Sequence, residues 1–272
     1  MTDLRNGIIN TEDLFCDVYK AVVLCEYTEE LSFIKQLIEI GESCIEESGP
    51  ETAWSFEHVC YMFAKSIMDY SKMVYDNFLL GHFKAALMIL RVIVENLVCL
   101  DIIIHDEAKE LWKYYLVYSF KKTMLTAKKK LSVNEMETLE AIYSEYNIDS
   151  KFYTAKEKET AFIDRNYGWT YKINNKFSFS GLCKLVEKND YSDFKMLSEF
   201  SHGTSVYSKL DDSTSCERIM NMISCLYSAI SRMLRMYCLD LLEEDFYQVK
   251  EELDDRMLRF FEECAAISKL LT

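Results

Sequence analysis

Apolar residues recur every three or four positions along most of this chain, the period of helices that bury one face. The repeat first runs through residues 11–47, with Asn10 placed as a cap and Asp13 three residues on. "ESGPETAW" then breaks it. Gly49 closes one helix, and Pro50 opens the next at its first turn, where a missing N–H costs nothing; the second helix covers 51–79. Gly81 marks a bend. The third helix, 82–104, is apolar nearly all round, which predicts a central position. A fourth, 106–130, begins aromatic ("LWKYYLVYSF") and ends basic ("KKTMLTAKKK"), so its lysines complement the helix dipole. Asp106 in "HDE" caps this helix. Ser132 and Glu135 form a capping box that opens a fifth helix to about 146.

The span 147–178 departs from this rhythm. It is polar and weakly periodic, with "DRNYGWTYKINNKFS" at its centre, and reads as a long excursion with one short helix. Tyr167, Trp169 and Tyr171 predict that it docks on the helical body. Short helices follow at 180–188 and 191–202. Thr214 and Glu217 in "TSCE" read as a second capping box, opening a helix to about 243. The last helix, 245–270, carries Phe246, Val249, Leu253, Met257, Phe260, Phe261, Cys264 and Ile267 as a core-facing stripe. The expected fold is all-α: a single multi-helix bundle of long antiparallel helices in one domain, 1–272, with one aromatic-containing excursion and a peripheral helix within 1–48.

Composition sharpens the fold class. Seven glycines and one proline in 272 residues starve the chain of the tight turns that a sandwich or barrel needs. Half of the residues are hydrophobic, enough for a sizeable core. A net charge of −14 repels phosphate backbones, which excludes broad DNA binding but leaves room for a local basic pocket. The 10 cysteines are scattered, with no C-x-x-C pair. They read as reduced thiols of a cytoplasmic protein, with Cys60, Cys99, Cys225 and Cys238 inside apolar helical patterns. The start "MTDLRNGIIN" has no apolar signal core. The most apolar run, 85–104, is interrupted by Arg91, Glu95 and Asp101, so no membrane span is expected.

Two polar pairs stand out against the apolar pattern. Arg91 and Glu95 lie four apart on the third helix and share a face among Leu87, Met88, Val94 and Val98. Either they are an ion pair that holds two helices, or Glu95 orients a guanidinium toward an anionic or carbonyl group. Tyr191, Phe194, Ser198 and His202 form one stripe at steps of three, four and four, and Gly203 follows at once. His202 is either a satisfied imidazole at a helix end or a general acid–base. Ser198 lacks a nucleophile elbow, so it reads as a positioning group rather than a nucleophile. Glu199 and His202 are the only Glu-x-x-His, and a carboxylate-bridged di-iron bundle needs two; neither a metal nor another cofactor is expected. Trp112, Tyr114, Tyr115 and Tyr118 are core aromatics whose hydroxyls reach the surface, or pocket walls. "AKKK" reads as a solvated helix end rather than an RNA contact.

The segments "LRVIVEN" and "GWTY…FSFSGLCKLVEKNDYSDFKMLSEFSHGT", on an all-helical frame, resemble the DUF5677 family of uncharacterised bacterial proteins over roughly residues 50–240. The resemblance implies a shared pattern: Arg91 and Glu95 on a central helix, Trp169 before a short helix, then Tyr191, Ser198 and His202. A looser similarity is to HEPN-type helical ribonucleases and abortive-infection effectors, which place an Arg four to six residues before a His on one helix. None of the four histidines here follows an arginine at that spacing, so only a composite site is left, with Arg91 and His202 on different helices. Two functions follow. One is a bacterial defence or stress effector in which Arg91, Glu95, Ser198 and His202 act, Tyr191, Trp169, Tyr115 and Tyr118 contact substrate, and RNA is cut without a metal. The other is a non-catalytic module for a protein partner, a small ligand, or a second copy packed on the last helix.

Overall fold

The computed structural model describes residues 28–126, 130–155, 159–174, 176–186 and 212–241. Among them the only regular structure is helical. In chain order the helices are α1 (Thr28–Glu47), α2 (Phe56–Leu79), α3 (Phe83–Ile104), α4 (Leu111–Thr126), α5 (Val133–Glu145), α6 (Ser150–Tyr153), α7 (Phe179–Cys183) and α8 (Asp212–Leu234). Two 3₁₀ turns, Phe162–Asp164 and Gly168–Thr170, lie between α6 and α7, and a π-helical stretch, Arg235–Leu241, continues α8. The architecture is an all-α multi-helix bundle with aromatic clusters between helices.

The chain divides into two compact units. The first takes residues up to 44, then 68–90, and the chain from 200 on. Here α1 and the second half of α2 run antiparallel: Gly41 lies against Met68, and Lys72 reaches Glu42 at 3.1 Å. Leu31, Ile34, Val74, Phe78, Met222, Ile223 and Leu226 supply its apolar interior. The crevice they line holds about 10 Å³, room for one water at most. The second unit takes 45–67 and 91–199. Its core is built on α3, where Ile93, Val98, Leu100 and Ile103 are fully enclosed, together with Ile67, Leu139, Phe152 and Trp169.

Several boundaries differ from the sequence pattern for identifiable reasons. The second helix starts at Phe56 instead of residue 51. Trp54 takes a left-handed φ of 69°, which stops a helix, and the Ser55 hydroxyl accepts from the His58 N–H as the true cap. The fourth helix starts at Leu111, because Asp106 caps it across a longer gap than expected: one carboxylate oxygen accepts from Glu110 N and Leu111 N at 2.7 and 2.8 Å. Its described part runs to Thr126, with Lys121 and Lys122 inside it. Thr214 lies within α8, which begins at Asp212, and is not its cap. The helix expected over 180–188 is one turn, Phe179–Cys183, capped by Ser178. Helix 191–202 and helix 245–270 fall outside the described residues, as does the start of the first.

The capping box at Ser132 and Glu135 forms as the sequence indicates. Ser132→Ala removes the acceptor of the Glu135 N–H and the partner of its carboxylate. It is expected to cost about 1 kcal/mol, read from urea denaturation of the two proteins; an unchanged midpoint would contradict this.

Cys60, Cys99, Cys183 and Cys238 are buried. Cys225, which the apolar pattern of its helix would bury, is half-buried. Burial pushes the Cys60 thiol up to about 12, so it stays protonated and inert. No described helix is long and apolar enough to cross a membrane.

Candidate functional site

The second unit brings one of the two polar pairs together with the excursion. Arg91 and Glu95 lie one turn apart on α3, both half-buried. The Glu95 carboxylate accepts a hydrogen bond from the Tyr167 hydroxyl, 72 residues away in sequence. Tyr167 is also within electrostatic reach of the Arg91 guanidinium, which partly opposes the effect of Glu95 on the phenol.

The placement of Tyr167 follows from the turn that carries it. Its φ of 54° is left-handed, a conformation that a bulky non-glycine residue adopts only when its surroundings impose it. Three neighbours do so. Gly168 packs so closely on the Phe162 carbonyl that no side chain fits. Trp169 is buried, with its ring edge-on to Tyr115 at 5.4 Å. The Thr170 hydroxyl donates to the Tyr167 carbonyl at 2.8 Å. The 3₁₀ turn Gly168–Thr170 packs against α4, which supplies Tyr115 and Tyr118. The excursion therefore docks through its aromatics, as their clustering predicts, and the docking delivers one hydroxyl to Glu95.

Tyr118 completes the cluster. Its hydroxyl faces the backbone N–H of Tyr167, and the Lys122 ammonium lies over its ring at 5.3 Å. Tyr115 sits deeper, tilted on Phe63 at 4.6 Å. Cys99, one turn beyond Glu95, is buried, and that burial raises its thiol. A second tie between helices lies close in sequence: Asn96 Nδ2 donates to the Ser66 hydroxyl at 3.1 Å.

The pattern of the excursion repeats in its other half. Tyr171 stacks on Phe162 at 4.8 Å and on Phe152 at 5.6 Å, and donates its hydroxyl to Asp149 Oδ2 at 3.0 Å. The backbone N–H of Lys151, and then the Tyr171 hydroxyl, hold Asp149 below the usual carboxylate range. Arg165 lies 5.1 Å from both Phe162 and Phe177. These contacts give the excursion a small core of its own, which keeps the Tyr167 turn in place.

Burial is the first cause that raises the phenols of Tyr115, Tyr118, Tyr143, Tyr167 and Tyr171, Tyr143 to about 12. For Tyr167 the hydrogen bond to Glu95 adds to it, since a neighbouring carboxylate disfavours a phenolate. The sign follows directly. Unfolded phenols titrate near 10. Above that pH the native state keeps protons that the unfolded state has lost, so stability falls as pH rises through the native values. Below about pH 10 the contribution is complete and flat. In an alkaline titration, tyrosinate absorbance from these residues is expected to appear together with loss of the helical circular dichroism. Full ionisation of all 18 tyrosines in a protein that keeps its helices would contradict their burial.

A separate polar pair closes the end of α3. His105 Nδ1 lies 2.8 Å from Asp101 Oδ1. Asp101 is buried and His105 is exposed. The imidazole also approaches the Asp101 carbonyl at 3.0 Å, so it serves the helix end.

Of the residues singled out by the sequence, Arg91, Glu95, Tyr115, Tyr118 and Trp169 are brought into one neighbourhood. Tyr191, Ser198 and His202 lie outside the described residues. Tyr167 is a site residue that the sequence analysis used only as a docking aromatic. Its tyrosine–glycine pair signals a tight turn but leaves open which of the two takes the left-handed backbone. Among the described residues, no group of three or more His, Cys, Asp or Glu side chains is placed to hold a metal ion.

The model of DUF5677, described as a family of unknown function, matches residues 57–217. That span includes both polar pairs and the excursion. No curated protein and no solved structure matches the chain.

Proposed function

The chain belongs to the DUF5677 family, and from that premise we propose that it is a cytoplasmic bacterial defence or stress effector whose composite site cleaves RNA without a metal. Arg91 stabilises charge on a phosphate, Glu95 holds Arg91, His202 moves protons, and Tyr191 and Ser198 position the substrate. Tyr115 and Tyr118, both half-buried, form the wall on which the substrate rests, whereas Trp169, named for that role by the sequence, is buried and holds the turn from behind. The HEPN-type likeness enters here in composite form, with the arginine and the histidine far apart in the sequence.

One observation carries this reading. The Arg91–Glu95–Tyr167 cluster is half-buried, and a left-handed tyrosine is held in place to complete it. Strained backbone concentrates at functional sites, because packing elsewhere must sustain it. A network that served only to fasten helices is better placed in full burial, where its hydrogen bonds are strongest.

The second reading is a non-catalytic helical module that binds a protein partner, a small ligand or a second copy of itself. The Tyr167–Glu95 bond and the Asn96–Ser66 bond favour it, since each joins two segments of the fold and gives a polar group a structural purpose.

The experiment is paired expression of the wild type and His202→Ala in a bacterial host, following growth and the integrity of total RNA. Growth arrest with fragmented RNA, lost in the variant at equal soluble protein, supports the effector. Normal growth and intact RNA in both supports the binding module.

A further inference from the structure

Trp54 shows 38% of its surface to solvent, whereas Trp169 shows 1%. Single exposed apolar residues are ordinary on a protein surface. Trp54 differs because its position is fixed. Its backbone is left-handed, with a φ of 69°, a conformation that a bulky residue keeps only where neighbours impose it. The Tyr146 hydroxyl, 92 residues on, donates to the Trp54 carbonyl at 3.1 Å. The indole stands edge-on to Phe120 at 5.3 Å. Tyr146 in turn packs edge-on to Trp112 at 5.8 Å. Trp54, Phe120, Tyr146 and Trp112 are thus one connected aromatic surface within the second unit, and Trp54 is its exposed member.

Charge decides what the exposed indole takes. Residues 45–64, which carry Trp54, contain four glutamates, Glu46, Glu47, Glu51 and Glu57, and no lysine or arginine. All four are exposed, as is Glu145, next to Tyr146 in sequence. Lys109 and Lys113 oppose them, and each already lies over another ring, Phe56 at 4.6 Å and Trp112 at 5.9 Å. Lys121, next to Phe120, is matched by Asp164 at 2.7 Å. The balance around Trp54 is therefore negative, in a chain whose net charge is −14. We propose that Trp54 anchors a basic segment of a protein partner, with an arginine guanidinium stacked on the indole and its charge met by the neighbouring glutamates. A planar guanidinium suits an indole face, and the ring quadrupole attracts its charge. A pinned aromatic loses little freedom on binding, as the central anchor of an interface should. A nucleic-acid base also stacks on tryptophan, but its phosphates would meet the glutamates. The surface uses other residues than Arg91, Glu95 and Tyr167, so it holds whether or not that cluster acts on RNA.

The test uses the full chain and a labelled arginine–glycine peptide, beside a lysine–glycine peptide and a single-stranded RNA of equal length. Binding is measured at physiological salt and at several times that, where general attraction to the net charge is screened. Trp54→Leu keeps an apolar side chain without the indole, and is expected to weaken the arginine peptide about fivefold at both salts. Tyr146→Phe keeps every ring but frees the Trp54 carbonyl. It is expected to weaken binding about twofold, because a loosened indole must be ordered again. Val133→Ala, at a residue 73% exposed on α5, is the control and should change nothing. Affinity that falls in the first two variants and holds in the third supports the proposal. A wild type that binds no arginine peptide at the higher salt overturns it, as does an affinity unchanged in both Trp54→Leu and Tyr146→Phe. Equal binding of the lysine peptide overturns the guanidinium stack. RNA bound in preference to the peptide, with the same dependence on Trp54, overturns the protein partner and makes the surface a base-stacking one.

Discussion

Gly168→Ala is expected to destabilise the protein by about 3 kcal/mol and to lower its melting temperature by roughly 6–12 °C. A Cβ at this position would strike the carbonyl oxygen of Phe162, with the Phe162 carbonyl carbon at 2.6 Å and the Ile163 nitrogen at 3.5 Å. All three are backbone atoms, so no rotamer change relieves the overlap. The two 3₁₀ turns must separate, and Tyr167 and Trp169 lie on either side of the glycine. The damage should therefore be visible at a distance. Trp169 is buried, whereas Trp54 is exposed, so loss of the turn should shift tryptophan emission to the red. Gly49→Ala is the control. Its nearest neighbour beyond the adjacent residues is the Glu46 carbonyl at 3.8 Å, an ordinary contact, and no effect is expected. Circular dichroism melts of the three proteins decide the matter. A Gly168→Ala protein that melts with the wild type would show that the close approach of the turns is dispensable.

The same turn marks the limit of what the sequence reveals. The helices were legible because burial leaves a mark: the nearly continuous apolar run of α3 and the capping box at Ser132 are local features with local signatures. Their ends were less so. Residues 51–54 carry no strong breaker after Pro50, yet Trp54 adopts a left-handed backbone and Ser55 takes over as cap. Asp106 was recognisable as a cap, but the distance to its helix depends on the loop through Lys109, which has a φ of 50°. For the site, Arg91 and Glu95 were visible as polar breaks in an apolar face. Tyr167 was not, because its importance comes from a hydrogen bond across 72 residues and from strain that is imposed by packing.

His202→Ala is expected to abolish RNA fragmentation, and Arg91→Ala to reduce it about 100- to 1000-fold, with the fold retained in both. The magnitudes come from the proposed roles: general acid–base groups contribute ~10²–10⁴ in rate, and a charge-stabilising donor ~10²–10³. Stability separates this from a purely structural network. Breaking a buried ion pair by truncating one partner costs about 3–5 kcal/mol, because a charge is left in the interior without compensation. Glu95 would not be left so. It is half-buried, in partial contact with water, and keeps the Tyr167 hydroxyl when the guanidinium is gone. Solvent screening at such a position brings the cost down to about 1 kcal/mol. Rates measured on purified protein, beside urea denaturation of the same samples, therefore distinguish the readings. A variant that keeps its midpoint and loses cleavage places Arg91 at the substrate. A variant that loses several kcal/mol with no cleavage in the wild type makes the cluster a fastening, because then the cost of removing Arg91 falls on folding and no part of it on chemistry.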